Sequence, residues 1–218
     1  MKESYANIDC SIKLLSISQG LTGKMAGIPA VTSSSLCNEN CLKNSQIPNS
    51  VCQRCYTRKY LLSRPLMKDC YQQNSDLLSS SLIPTKQLPF INAKMCRLES
   101  FGDVINITHL DNYVRLIKKN SHCSFALFTK RYTLITEYFK QKKQPKNLSI
   151  IISSLLLNNP LDATLFKDLN NLKIFTVYEK VYADKNKIVI SCGKNKCVNC
   201  RKCFTPNRTP IYITELLK

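Results

Sequence analysis

Leu148-Ser149-Ile150-Ile151-Ile152-Ser153 reads as a β-strand with a continuous apolar centre. A strand with one wet face alternates apolar and polar residues. One that does not alternate is covered on both faces, as in the parallel sheet of an α/β domain. Upstream of it, Cys123–Thr129, Phe90–Leu98 and Ser11–Ser18 read as further strands; downstream, Lys173–Tyr178 and Lys187–Ser191 do. Helical patterns lie between them. Leu110, Tyr113, Val114 and Ile117 fall on one helical face, and Thr108 with Asp111 has the spacing of a capping box at its start. Leu134, Ile135, Tyr138 and Phe139 share a face of the next helix. Asp162 caps a short helix carrying Leu165, Phe166 and Leu169. Earlier in the chain, helical character runs from about Gln53 to Ser63. Pro65 then opens another helix, with Leu66, Cys70, Leu77 and Leu78 toward its buried side.

Strand–helix alternation implies one α/β domain over residues 1–218, with a mostly parallel sheet and right-handed crossovers. Six such units are too few for a closed eightfold barrel. A partial (βα)6 TIM-like barrel is the expectation, with a doubly wound sheet as the alternative. In either, ligands gather at the carboxyl ends of the strands. Those ends carry Arg97, Asp103, Thr129, Lys130 and Ser153 as candidate pocket residues.

Two cysteine-rich loops stand at residues 37–56 and 192–204. The first reads Cys37-x3-Cys41-x10-Cys52-x2-Cys55-Tyr56 and the second Cys192-x4-Cys197-x2-Cys200-x2-Cys203. A C-x2-C pair brings two thiols together from one tight turn, and a second pair completes a metal-binding set. Three thiols in a row at three-residue spacing favour an iron–sulfur centre, of the 4Fe-4S kind, over zinc; one or two such clusters are expected. Each quartet can converge with short loop closures, so each is expected to form its own centre, both at the same mouth of the sheet. A fully thiolate-bound first centre would leave no position for S-adenosylmethionine, which is the less favoured cofactor. Cys10, Cys70, Cys96 and Cys123 stand alone and read as buried small hydrophobes. His109 and His122 have no neighbouring His or carboxylate in a catalytic pattern.

The chain carries 32 Lys and Arg against 14 Asp and Glu, a formal charge of +18. Nucleic acid, DNA or RNA, is the polyanion this suggests, with Lys140, Lys142, Lys143 and Lys146 as the concentrated run. A Lys-rich surface set by genome composition is the plainer alternative. No stretch of 18 apolar residues spans a membrane. Met1–Gly20 lacks an apolar signal core, so a reducing cytoplasm is expected, where dense cysteines read as ligands.

In this order the motifs resemble the phage protein family called gene product 88. The likeness covers about Lys24 to Phe204. It is carried by Gly27-Ile-Pro29, Cys37, Cys52-x2-Cys55-Tyr56, Asn74, Arg97 with Phe101-Gly102-Asp103, Phe128-Thr129-Lys130, Pro145-Lys-Asn147-Leu148 with Ser153, and Cys197-x2-Cys200-x2-Cys203-Phe204. Phe101 replaces a Ser of the family pattern. Through Cys52-x2-Cys55-Tyr56 the resemblance implies a relation to radical-SAM-type partial barrels. Glu99–Asp103 stands where those enzymes carry Gly-Gly-Glu and is not that motif, which counts against ordinary S-adenosylmethionine binding. The expected protein is an iron–sulfur cluster-binding protein with redox or radical chemistry, encoded by a phage and working in the host cytoplasm. The alternative is a nucleic-acid-binding protein with structural iron–sulfur or zinc centres.

Overall fold

The computed structural model describes residues 14–19, 23–193, 195–207 and 209–217. Six strands form one sheet in the order β1-β2-β3-β4-β5-β6. They are β1 (Ala30–Val31), β2 (Met95–Leu98), β3 (Ser124–Thr129), β4 (Leu148–Ser153), β5 (Leu172–Tyr178) and β6 (Ile211–Leu216). Every neighbouring pair is parallel. The order never reverses, so the sheet has no switch point of the doubly wound kind. The helices are α1 (Glu39–Ser45), α2 (Tyr56–Leu62), α3 (Pro65–Ser80), α4 (Ile107–Lys119), α5 (Tyr132–Gln141), α6 (Lys180–Lys185) and α7 (Cys197–Cys200). Among the described residues, no helix is long and apolar enough to cross a membrane.

The sheet is buried on both faces, for two different reasons. Leu98, Phe125, Leu127, Ile150, Ile152 and Ile174 share one core with Leu78 of α3, Tyr113 and Ile117 of α4, and Ile135 and Phe139 of α5. The residues between them, Ala126 and Ile151, form a second core with Ile28 and Phe204, flanked by Phe128, Phe175, Cys197 and Cys203. Helices therefore cover one face and the second cysteine segment covers the other. All six residues of β4 are buried, which is why its sequence does not alternate.

Two strands lie elsewhere than the sequence suggests. Of Ser11–Ser18, residues 11–13 lie outside the described set. The rest does not pair as a strand: the Ser16 N–H donates to Asn74 Oδ1, its carbonyl accepts from Asn74 Nδ2, and Ser18 makes a lone antiparallel bridge to Ala30. One buried asparagine thus satisfies the backbone groups a ladder would use. Lys187–Ser191 is irregular as well. Lys187 turns at φ 53°, the Ile188 N–H closes on Ala183, and Val189 is exposed. The last strand is instead Ile211–Leu216, after the cysteine loop.

Several boundaries move. Phe90–Leu98 shortens to Met95–Leu98, because the Ile91 N–H is taken by Asn120 Oδ1. The Gln53–Ser63 helix splits at Cys55 into a 3-10 turn, Val51–Arg54, and α2. The cap of α4 is Asn106, whose side chain accepts from the His109 N–H, rather than Thr108. Asp111 instead bonds Tyr138 and Lys142. On α3 the buried positions are Tyr71, Asn74, Ser75 and Leu78; Leu66 and Cys70 face solvent. Asp162 caps its 3-10 turn as expected, with Phe166 buried and Leu165 exposed. Cys96 and Cys123 are buried, while Cys10 lies outside the described residues.

Candidate metal and ligand site

A cavity of about 250 Å³ opens at the carboxyl ends of the strands. Arg97, Asp103, Thr129, Lys130 and Ser153 all line it, together with Cys41, Cys52, Cys55, Cys192, Cys197 and Cys203. Thiols of both loops therefore border one space. Phe101, Phe128, Phe175 and Phe204 supply its apolar walls.

The first loop is placed by caps and cross-links. Asn38 accepts from the N–H groups of Asn40 and Cys41 to start α1, and its Nδ2 donates to the Asp103 carbonyl. Ser50 caps the 3-10 turn that carries Cys52, and the Val51 N–H donates to the Leu155 carbonyl beyond β4. Cys55 ends that turn and begins α2. Cys41, Cys52 and Cys55 thus reach the cavity. Cys37 does not line it; its thiol points to the Ser34 carbonyl at 3.6 Å. Burial pushes the Cys41 and Cys52 thiols up, and the nearby Lys130 opposes this. For Lys130 itself, burial alone would lower the pKa. Cys52, Asp103, Cys41 and Cys55 outweigh it and hold the ammonium above its ordinary value. Asp103 is raised by burial although Lys130 and Thr129 pull it down; its carboxylate accepts from Thr129 Oγ1 at 2.6 Å and the Lys130 N–H at 2.9 Å.

The second loop crosses the sheet face that the helices leave free. Arg201, at φ 53°, turns the chain after α7 so that Phe204 drops between Ala126 and Ile151. Cys192, Cys197, Cys200 and Cys203 surround a smaller cavity of about 110 Å³. Burial raises Cys203 to about 12, opposed by Arg97. Burial raises Cys197 too, opposed by Lys24, which pairs with Glu215 and lies 3.5 Å from Cys192 Sγ. The Arg97 guanidinium stacks 3.9 Å over the Phe128 ring, and its buried Nε has no hydrogen-bond partner among the described residues. Lys173 is fully buried beneath the loop. Its Nζ donates to Ser149 Oγ, the Thr205 carbonyl and Asn207 Oδ1, and burial lowers its pKa to about 8. Among the described residues, no three His, Cys, Asp or Glu side chains form a group able to hold a single metal ion.

Behind the cavity sits a polar network that the sequence does not announce. Glu99 is buried, at φ 58°, and its carboxylate accepts from Ser33 N–H, Ser33 Oγ and Tyr113 OH. His109 Nε2 lies 3.1 Å from Glu99 Oε1 but off hydrogen-bond alignment, while Nδ1 accepts from the Ile105 N–H. His109 therefore does have a carboxylate neighbour, ten positions away in sequence and brought close by the α4 start. Among the described residues, His122 meets the Ile91 carbonyl and the Phe90 ring. Gly102 passes so close to Ser33 that an added Cβ would lie 2.2 Å from Ser33 Oγ and 2.7 Å from its carbonyl. Gly102→Ala is therefore expected to cost about 1–3 kcal/mol by overpacking, read as a lowered urea midpoint. An unchanged midpoint would mean that the loop is free to move away.

The lysine run lies at the other end of the sheet, from the last turn of α5 into its connection to β4. Lys140, Lys143 and Lys146 are exposed, whereas Lys142 is engaged by Asp111 and stacked near the Tyr138 ring. It has no part in the cavity.

No curated protein and no solved structure matches this chain. A family model does match, over residues 11–212, and it takes in both cysteine loops, strands β1 to β5 and the start of β6. On that match the chain belongs to the family described as gene product 88.

Proposed function

We propose that this is an iron–sulfur protein on a partial βα barrel, with redox or radical chemistry in the cavity shared by its two cysteine loops. The observation that carries the reading is the convergence of six thiols from distant parts of the sequence on one cavity. Sequential parallel order with helices packed on one face supports the partial-barrel reading, with the second loop covering the other face.

The donor set suits a cluster: four thiols line the smaller cavity. Thiols around one zinc would stand only about 3.8 Å apart, from Zn–S bonds of about 2.3 Å, whereas a multi-iron cluster takes a wider set. Cys192, Cys197, Cys200 and Cys203 would hold it as a closed centre. Cys41, Cys52 and Cys55, which line the larger cavity, would hold a second. Buried thiols resist ionisation, and the cations facing them, Lys130, Arg97 and Lys24, offset the charge that thiolate ligation requires. When bound, such clusters supply one-electron transfer. Asp103 holds Thr129 and the Lys130 backbone in place, and Lys130 and Ser153 are the polar groups a ligand would meet. Free thiols at this density suit a reducing cytoplasm.

Anaerobic reconstitution followed by iron and sulfide analysis tests the reading. Two four-iron centres give about eight of each per chain. Stoichiometric zinc without sulfide, or no metal at all, would replace this proposal with a structural zinc site or none.

A further inference from the structure

The amino-terminal end of the sheet, opposite the cavity, carries a second surface that the metal reading does not use. The loops before β2, β3 and β4 are stitched into one platform. Asn120 donates to the Pro89 carbonyl and accepts from the Ile91 N–H. Asn147 donates to the carbonyls of Ile117, Asn120 and Cys123. Lys119 donates to the carbonyls of Thr85 and Leu88. On this platform Phe90 is 64% exposed. It stacks on the exposed ring of His122, with centroids 4.9 Å apart and planes 26° from parallel. A stacked pair fixes the orientation of a ring whose other face meets solvent. Lys86, Lys94, Lys143 and Lys146 are exposed on the same three connections, and Lys118 in the last turn of α4. The acidic Asp168 lies farther along, before β5, beside Lys167.

We propose that this platform binds single-stranded nucleic acid, with Phe90 backed by His122 as a base-stacking surface and the lysines on the phosphates. The inference stands apart from the iron–sulfur reading, because no cysteine of either loop takes part. An exposed ring held in place among cations is what unpaired bases on a polyanion need: every base has a face to stack, and the backbone supplies the charge. A paired duplex hides its base faces, so the aromatic pair gives a preference for single strands that charge alone would not. The rigid hydrogen-bonded loops lower the ordering cost of binding.

The test uses the full chain, reconstituted anaerobically, and fluorescein-labelled oligothymidylate in an anisotropy titration at low and moderate salt. Affinity is expected to fall steeply as salt rises. Phe90→Ala is expected to weaken binding about tenfold, the loss of one stacked base. Phe90 is exposed, so this change leaves the core intact. Lys143→Glu with Lys146→Glu is expected to weaken it further and to flatten the salt dependence. Lys180→Glu, on α6 at the opposite end, is expected to leave binding unchanged. Absence of binding at low salt would overturn the proposal. So would equal affinity for the duplex, or full affinity in the Phe90 variant, since both leave only diffuse charge.

Discussion

Replacing Cys203 with alanine removes about half of the iron from the reconstituted protein and lowers its melting temperature by more than about 6 °C, if the two cysteine loops hold separate clusters. The size of the effect follows from where Cys203 stands. It is a wall of both cavities, and the next residue, Phe204, anchors the loop against Ala126 and Ile151. Metal binding at such a site is folding free energy for the segment that supplies the ligands. Without the cluster, the cover over one face of the sheet loses its anchor. Cys55→Ser is expected to remove the other half of the iron with a smaller loss of stability, because the first loop is also tied by Ser50, Asn38 and Val51. Cys37→Ser is the discriminating control. Its thiol faces the Ser34 carbonyl outside the cavity, so iron content should stay the same. Loss of iron in that variant would restore a first centre with all four thiols of the loop. Iron and sulfide analysis with a thermal melt decides between these outcomes.

The sheet was readable where burial leaves a mark on sequence. Ser124–Thr129, Leu148–Ser153 and Leu172–Tyr178 lie in the middle of the sheet, so both faces demand apolar residues. The edges are weaker signals. β1 is two residues long, and its pairing is fixed by neighbours distant in sequence. β6 follows an insertion that folds back over the sheet, and Val189 mimics a strand before it while remaining exposed. The five pocket residues were legible because a parallel sheet brings its carboxyl ends together whatever the details of the edges. The common cavity for both loops came about by a different route, however. The second loop lies between β5 and β6 and crosses the sheet face, rather than rising from a last strand. The structural roles of Glu99, Lys173 and Phe204 carried no local signal. Their roles depend on burial against residues far along the chain. Glu99 in particular sits at a positive φ, for which glycine or asparagine would be the ordinary expectation.

Glu99 is also where the largest loss of stability without any metal is expected. Its carboxylate is fully buried and binds β1, β2 and α4 together through Ser33, Tyr113 and the neighbouring His109. Glu99→Ala leaves the Ser33 N–H and two hydroxyls without their acceptor in a dry site, and takes away the carboxylate beside His109. That costs about 3–5 kcal/mol, or a melting temperature lower by about 10 °C or more. Glu99→Gln keeps the shape and one acceptor, and should cost about 1–3 kcal/mol, since its amide can meet only some of these donors. The pH dependence separates charge from shape. Burial tends to raise the Glu99 pKa, but His109, Tyr113 and Ser33 outweigh it and hold the carboxyl below its ordinary range. A folded pKa below the unfolded one adds stability above the unfolded value, and that stability is lost as pH falls through the folded one. Asp103 acts in the opposite sense: burial raises its pKa, so its cost at neutral pH is relieved on acidification. The wild type should therefore lose stability in acid through Glu99, and Glu99→Gln should have the flatter acid limb. Urea midpoints measured from neutral pH down through the carboxylate range give the comparison. Parallel acid limbs for the two proteins would show that Glu99 has the same pKa folded and unfolded, a wild type that gains on Glu99→Gln as pH falls would show that Glu99 is folded as a neutral acid, and a Glu99→Ala midpoint equal to that of the wild type would show that the network carries no stability.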